Sequence, residues 1–141
     1  MRKILVATHG KFAAGIQETL KFIVGEDCKV EVLNAYVSEA FDMKQEAERY
    51  INALAEDDEL IVAADLFGGS VANTFTEYVP TGKVHILTGV NVPMLLELSD
   101  LINSECSTEE LIQSAQQTAQ EGIVYVNKVL YENMNSEEDD L

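Results

Sequence analysis

The chain has two histidines, and one of them, His9, stands directly after the apolar run of residues 2–8 and before Gly10. An imidazole, with an unperturbed pKa of about 6.5, is a competent nucleophile near neutral pH if it is uncharged and held in one tautomer. A carboxylate bonded to one ring nitrogen holds it so and leaves the other nitrogen free. Asp65 suits that role, because it also follows an apolar run, residues 59–64. Leu66, Phe67, Gly68, Gly69 and Ser70 come next. Glycines let the backbone approach a ligand closely, and free amides at a helix start attract anions. Ser70 can cap that helix or offer its hydroxyl to the same anion. The candidate catalytic pair is therefore His9 and Asp65, with Gly10, Gly68, Gly69 and Ser70 as the anion cradle. Such a constellation suits transient phosphorylation of histidine, which needs positioning and charge stabilisation more than covalent machinery.

Strand ends must position these groups. Residues 2–8, 28–36, 59–64 and 83–88 are short and rich in apolar residues, as buried parallel strands are. Helical spacing separates them: residues 12–24 with Phe12, Ile16, Leu20 and Ile23; 39–55 with Ser38 as cap; 71–78; and 93–98 with Pro93 in the first turn. Residues 108–121 form a further helix capped by Ser107. Residues 122–130 (G-I-V-Y-V-N-K-V-L) suggest a late strand or strand-like arm, and 136–141 an acidic, frayed end. The alternation predicts an α/β fold, a three-layer sandwich with a mainly parallel four-stranded sheet flanked by helices. In such folds the chemistry gathers at the carboxyl ends of the strands, here residues 8–11, 65–70 and 89–93.

The length, 141 residues, fits one domain. Nine Lys+Arg against 25 Asp+Glu give a net charge of −16, which argues against nucleic-acid or anionic-membrane partners. No run approaches the roughly 18 apolar residues of a membrane span. Cys28 and Cys106 have no metal-type spacing, so a reduced, cytoplasmic chain is expected, and two histidines nearly exclude a multi-histidine metal site. His85 lies mid-strand and is expected to be structural, although it could pack near the site.

The residues Thr8-His9-Gly10, Asp65-Leu66-Phe67-Gly68-Gly69-Ser70 and Gly89-Val90-Asn91-Val92-Pro93-Met94-Leu95-Leu96-Glu97 together resemble the IIA component of the mannose/fructose/sorbose class. These proteins belong to the bacterial phosphoenolpyruvate-dependent sugar phosphotransferase system. The resemblance covers residues 1–130 as the domain and leaves 131–141 as an acidic tail. It implies that His9 accepts a phosphoryl group from the phosphocarrier HPr and passes it to a histidine of the IIB component. IIB in turn phosphorylates the sugar entering through the membrane-embedded IIC/IID pair. It implies that Asp65 pairs with the other His9 nitrogen and that Ser70 lines the phosphoryl pocket, without metal or cofactor. It also implies a homodimer in which a C-terminal strand, residues 123–130 here, crosses to the partner's sheet. One departure stands out. Members usually carry Pro after Gly-Gly-Ser, where this chain has Val71. Valine can adopt the same backbone angles, so the cradle is expected to survive.

Three other functions compete. A phosphorylation-sensing module of a transcriptional regulator would need a DNA-binding segment, and this chain has no basic one. A nucleotide-binding enzyme would need G-x-G-x-x-G or G-x-x-x-x-G-K-[ST], and neither is present. A carrier domain feeding a dihydroxyacetone kinase fits residues 89–97 less well than the sugar-transport class does.

Overall fold

The computed structural model describes residues 1–139, with side chains through Asn135. Four strands, β1 (Arg2–His9), β2 (Val30–Ala35), β3 (Glu59–Ala64) and β4 (Val84–Thr88), form one sheet in the order β2-β1-β3-β4. Every pairing is parallel. Side chains alternate across the sheet. Ile4 and Val6 of β1 and Ile61 and Ala63 of β3 join one core. Leu5, Ala7, Leu60 and Val62 join the other. Burial on both faces explains why these strands are almost wholly apolar.

The first face is covered by α1 (Phe12–Val24), α4 (Val92–Leu101) and α5 (Thr108–Glu121), through Ile16, Leu20, Leu95, Leu98 and Leu111. The second is covered by α2 (Met43–Asn52) and α3 (Ser70–Thr76), through Met43, Ala47, Val71 and Phe75. The expected three-layer sandwich is therefore present, with one helix layer on each face of the sheet. Ser107 caps α5 by accepting from the Glu110 amide, and Asn91 caps α4 by accepting from Met94. The departure at residue 71 is absorbed here, because Val71 is fully buried under the second face.

Two expectations need correction. The helix expected over residues 39–55 is shorter, Met43–Asn52, because Asp42 rather than Ser38 caps it and accepts from the Gln45 amide. The strand expected over residues 122–130 is not a strand in this chain. Residues 126–139 instead form α6 (Val126–Asp139). A strand needs a neighbour to satisfy its amides, whereas a helix satisfies them internally. The segment's apolar side chains find no cover: Ile123 is 81% exposed, Tyr125 71% and Tyr131 66%. The fraying expected of residues 136–141 lies outside the described side chains, and residues 140–141 lie outside the described residues. Among the described residues no helix is long and apolar enough to cross a membrane.

The amino ends of the strands are tied by polar groups. The Arg2 guanidinium donates to the carbonyls of Leu101, Ile102, Ser104 and Cys106, closing the end of α4. His85 Nε2 lies 3.1 Å from Glu59 Oε1, and Glu59 also accepts from the Thr108 hydroxyl. His85 thus links β4 to β3 and α5 at the sheet's amino edge, the end remote from His9 and Asp65. Its expected structural role holds.

Candidate functional site

β1 is followed in sequence by β2 on one side and paired with β3 on the other, so the chain changes direction across the sheet between β1 and β3. A parallel sheet opens a crevice at such a point, outside the carboxyl ends of the strands. His9 ends β1, and Asp65 follows β3 directly. The fold therefore brings together the two residues the sequence singled out. Asp65 Oδ2 accepts from the His9 backbone amide at 3.0 Å and lies 2.8 Å from ring Nδ1. Its other oxygen, Oδ1, accepts from the Leu66 amide.

The two side chains differ in shelter. His9 is 41% exposed and Asp65 15%. Burial acts to raise the Asp65 carboxyl, but the His9 amide, the His9 ring and their charge outweigh it, and the carboxyl lies below its ordinary value. Asp65 is thus a carboxylate across the neutral range. In the neutral ring, Nδ1–H donated to this carboxylate leaves the lone pair on the opposite nitrogen, Nε2.

Ser70 completes the arrangement, though not as a cap. Gly69 takes the cap position and Ser70 is the first residue of α3. The Ser70 hydroxyl lies 3.3 Å from His9 Nε2. Gly69 is glycine for a steric reason: a Cβ there would sit 3.2 Å from His9 Cε1 and 3.2 Å from Leu66 Cγ. Gly10 turns the chain away from His9 at φ +64°, and its amide bonds the Ala35 carbonyl at 2.8 Å. The backbone is unusual all along this rim, where Tyr36, Gly68 and Gly89 also have positive φ.

Sequence reasoning missed several supports. Thr8, fully buried, accepts from the Ala13 amide, and Asn34 accepts from Ala14, so the start of α1 is held against the sheet. Asn73 Nδ2 donates to the Gly68 carbonyl and steadies the glycine loop. Tyr36, just past β2, bonds Ser70 through its hydroxyl at 2.8 Å, and its ring centroid lies 5.7 Å from that of His9. The signal available for Tyr36 was its place at the end of a strand adjoining the one that carries His9.

The site is an open notch with exposed apolar neighbours, among them Phe67, 89% exposed, and Leu66, 49%. A groove of about 870 Å³ lies elsewhere, between the starts of the strands and α4, lined by Ile4, Val24, Cys28, Leu96 and Ile102. No residue of the notch lines it. An exposed notch suits a reactant that is itself a protein side chain better than a free small molecule, which favours enclosure.

Residues 3–116 match the family described as EIIA-man, PTS system fructose IIA component. The chain belongs to the mannose/fructose/sorbose class of IIA components. It is 26% identical to the fructose-specific EIIA component of Bacillus subtilis over the full length of both. It is 30% identical to the mannose-specific EIIAB component of Escherichia coli, over 85% of this chain and 38% of that longer protein. A solved Klebsiella pneumoniae protein assigned to the same phosphotransferase system superposes with a TM-score of 0.85 at 36% identity, covering 92% of this chain and 93% of that one. A Streptococcus pneumoniae PTS IIA protein associated with a fucose utilization operon superposes at 0.73 with 31% identity, covering 92% and 96%. IIA components of this class are phosphocarriers: a histidine relays a phosphoryl group between HPr and IIB. Such a relay needs a histidine that a protein partner can reach, and the His9 side chain is 41% exposed.

Proposed function

We propose that His9 is the phosphoryl-carrying residue of this IIA component and that Nε2 is the atom that carries. The observation behind this reading is the 2.8 Å contact of Nδ1 with the sheltered Asp65 carboxylate, which favours the tautomer whose lone pair is on Nε2, in a side chain 41% exposed. In the transfer step the Nε2 lone pair attacks the phosphorus of phospho-HPr. A new N–P bond forms, and the donor's P–N bond breaks with its electron pair staying on the donor imidazole. The Nδ1 proton remains in its bond to Asp65, whose charge stabilises the ring as it becomes cationic. The reverse geometry then serves transfer to a histidine of IIB, which feeds the membrane IIC/IID pair.

Gly10, Gly68, Gly69 and Ser70 form the phosphoryl cradle. Two of them turn the chain with positive φ, Gly69 has no side chain to press on the His9 ring, and the Ser70 hydroxyl lies 3.3 Å from Nε2. No metal or cofactor takes part. Incubation with phosphoenolpyruvate, Enzyme I and HPr, followed by mass analysis of the peptide covering residues 4–17, is expected to reveal an acid-labile phosphoryl group on His9. Equal labelling of His9→Ala would overturn the assignment.

The working unit is a homodimer. β4 pairs only with β3, so its outer edge is open among the described residues, and residues 123–130 carry unpartnered apolar side chains. In the dimer residues 126–130 leave their helical state and the arm pairs along the partner's β4.

A further inference from the structure

We propose that Tyr36 is a positioning residue for phosphoryl transfer, acting through the Ser70 hydroxyl on Nε2 of His9. This inference rests on His9 being the carrier. The hydrogen bonds can run in only one direction while His9 is neutral. Asp65 is an acceptor, so Nδ1 donates and Nε2 must accept. Ser70 has one proton, and pointing it at Nε2 leaves its oxygen to accept. The Tyr36 hydroxyl, 2.8 Å away, is then the donor. The chain reads Tyr36 to Ser70 to His9 to Asp65, each bond polarising the next.

Once Nε2 bears a phosphoryl group its lone pair is gone. The Ser70 proton must turn to a phosphoryl oxygen, and Tyr36, still donating to the Ser70 oxygen, keeps that proton aimed outward and makes it a stronger donor. The phenol is held for this. Its ring meets Phe41 edge-on at 5.2 Å, and Phe41 packs on the second core.

The backbone supports the same reading. Tyr36 has φ +65°, and it is the one non-glycine residue with positive φ among the described residues. A bulky residue is strained there, and glycine would not be. Packing does not explain the choice, since Tyr36 is 50% exposed. A strained, half-exposed aromatic beside a nucleophile points to a use for the side chain.

The test compares wild type, Tyr36→Phe, Tyr36→Gly, Ser70→Ala and Tyr36→Phe/Ser70→Ala, with melting temperatures and single-turnover labelling at increasing phospho-HPr. Tyr36→Phe is expected to slow labelling at saturation about fivefold to tenfold, as loss of one hydrogen bond does. The half-saturating HPr concentration should not move. In the Ser70→Ala background the same change is expected to have no further effect, because the two residues act as one unit. Tyr36→Gly is expected to melt higher than wild type yet transfer more slowly, which a residue kept for the fold would not do. A wild-type rate for Tyr36→Phe or for Ser70→Ala, or an independent loss in the double variant, would overturn the proposal. A wild-type chain that takes no label on His9 would instead overturn the carrier assignment beneath it.

Discussion

Asp65 combines shelter with charge: it is the less exposed member of its pair, and its carboxyl is held below the ordinary value by the His9 amide and ring against the opposing effect of burial. A depressed carboxyl contributes stability that is fully present above its unfolded pKa and is lost as pH falls through the folded value. Asp65→Asn is therefore expected to flatten part of the acid limb of the stability curve below the ordinary carboxylate range, measured by melting temperature against pH. At neutral pH the same variant is expected to slow His9 phosphorylation by roughly 10²–10³-fold, since an amide no longer fixes the neutral tautomer. Gly69→Ala tests the other side of the ring. Its methyl would press on His9 Cε1 from 3.2 Å, and a few-fold slower labelling with an intact circular-dichroism spectrum is expected. His9, Asp65 and the Gly-Gly-Ser run were legible in the sequence because each ends an apolar run. Tyr36 was not, because its role depends on a backbone angle and on a hydroxyl contact across two loops, neither of which leaves a sequence pattern.

Arg2 shows how much one side chain can tie together between elements. It opens β1, yet its guanidinium serves four carbonyls at and beyond the end of α4. Arg2→Ala is expected to cost about 2–3 kcal/mol, read from urea midpoints, because those carbonyls lose charge-assisted donors. Gly122, after α5, lies so close to Pro93 that a Cβ would come within 2.6 Å of Cγ. Gly122→Ala is expected to cost roughly 1–3 kcal/mol by forcing α5 away from α4. The caps at Ser107 and the strand bounds of β3 were readable because local chemistry decides them. The start of α2 was not read, although Asp42 with Gln45 three residues later is a capping pattern, because Ser38 offered a second one. α6 was misread for a different reason. The β-branched Ile123, Val124, Val126 and Val129 favour a strand, but a strand must join a sheet edge, and in the single chain this segment joins none.

The layered sheet was legible at the scale of the molecule, because apolar runs alternating with helical spacing allow few other arrangements. Assembly was not, since exposed apolar residues signal contact without naming the partner. If residues 123–130 pair along a second copy's β4, sedimentation should give a dimer, and truncation after Gly122 should give a monomer that keeps its fold. A full-length monomer at tens of micromolar would exclude that pairing.

Positive φ angles at Gly10, Tyr36, Gly68 and Gly89 gather at one rim of the sheet, while β1 and β3 run through its centre with neighbours on both sides. Deuterium uptake should follow that division. The amides of the two central strands should open only with global unfolding, and those of the rim through small local fluctuations. Chemistry would then sit on the fast-exchanging lip of a slow-exchanging body, free to adjust to two successive protein partners without loosening the interior.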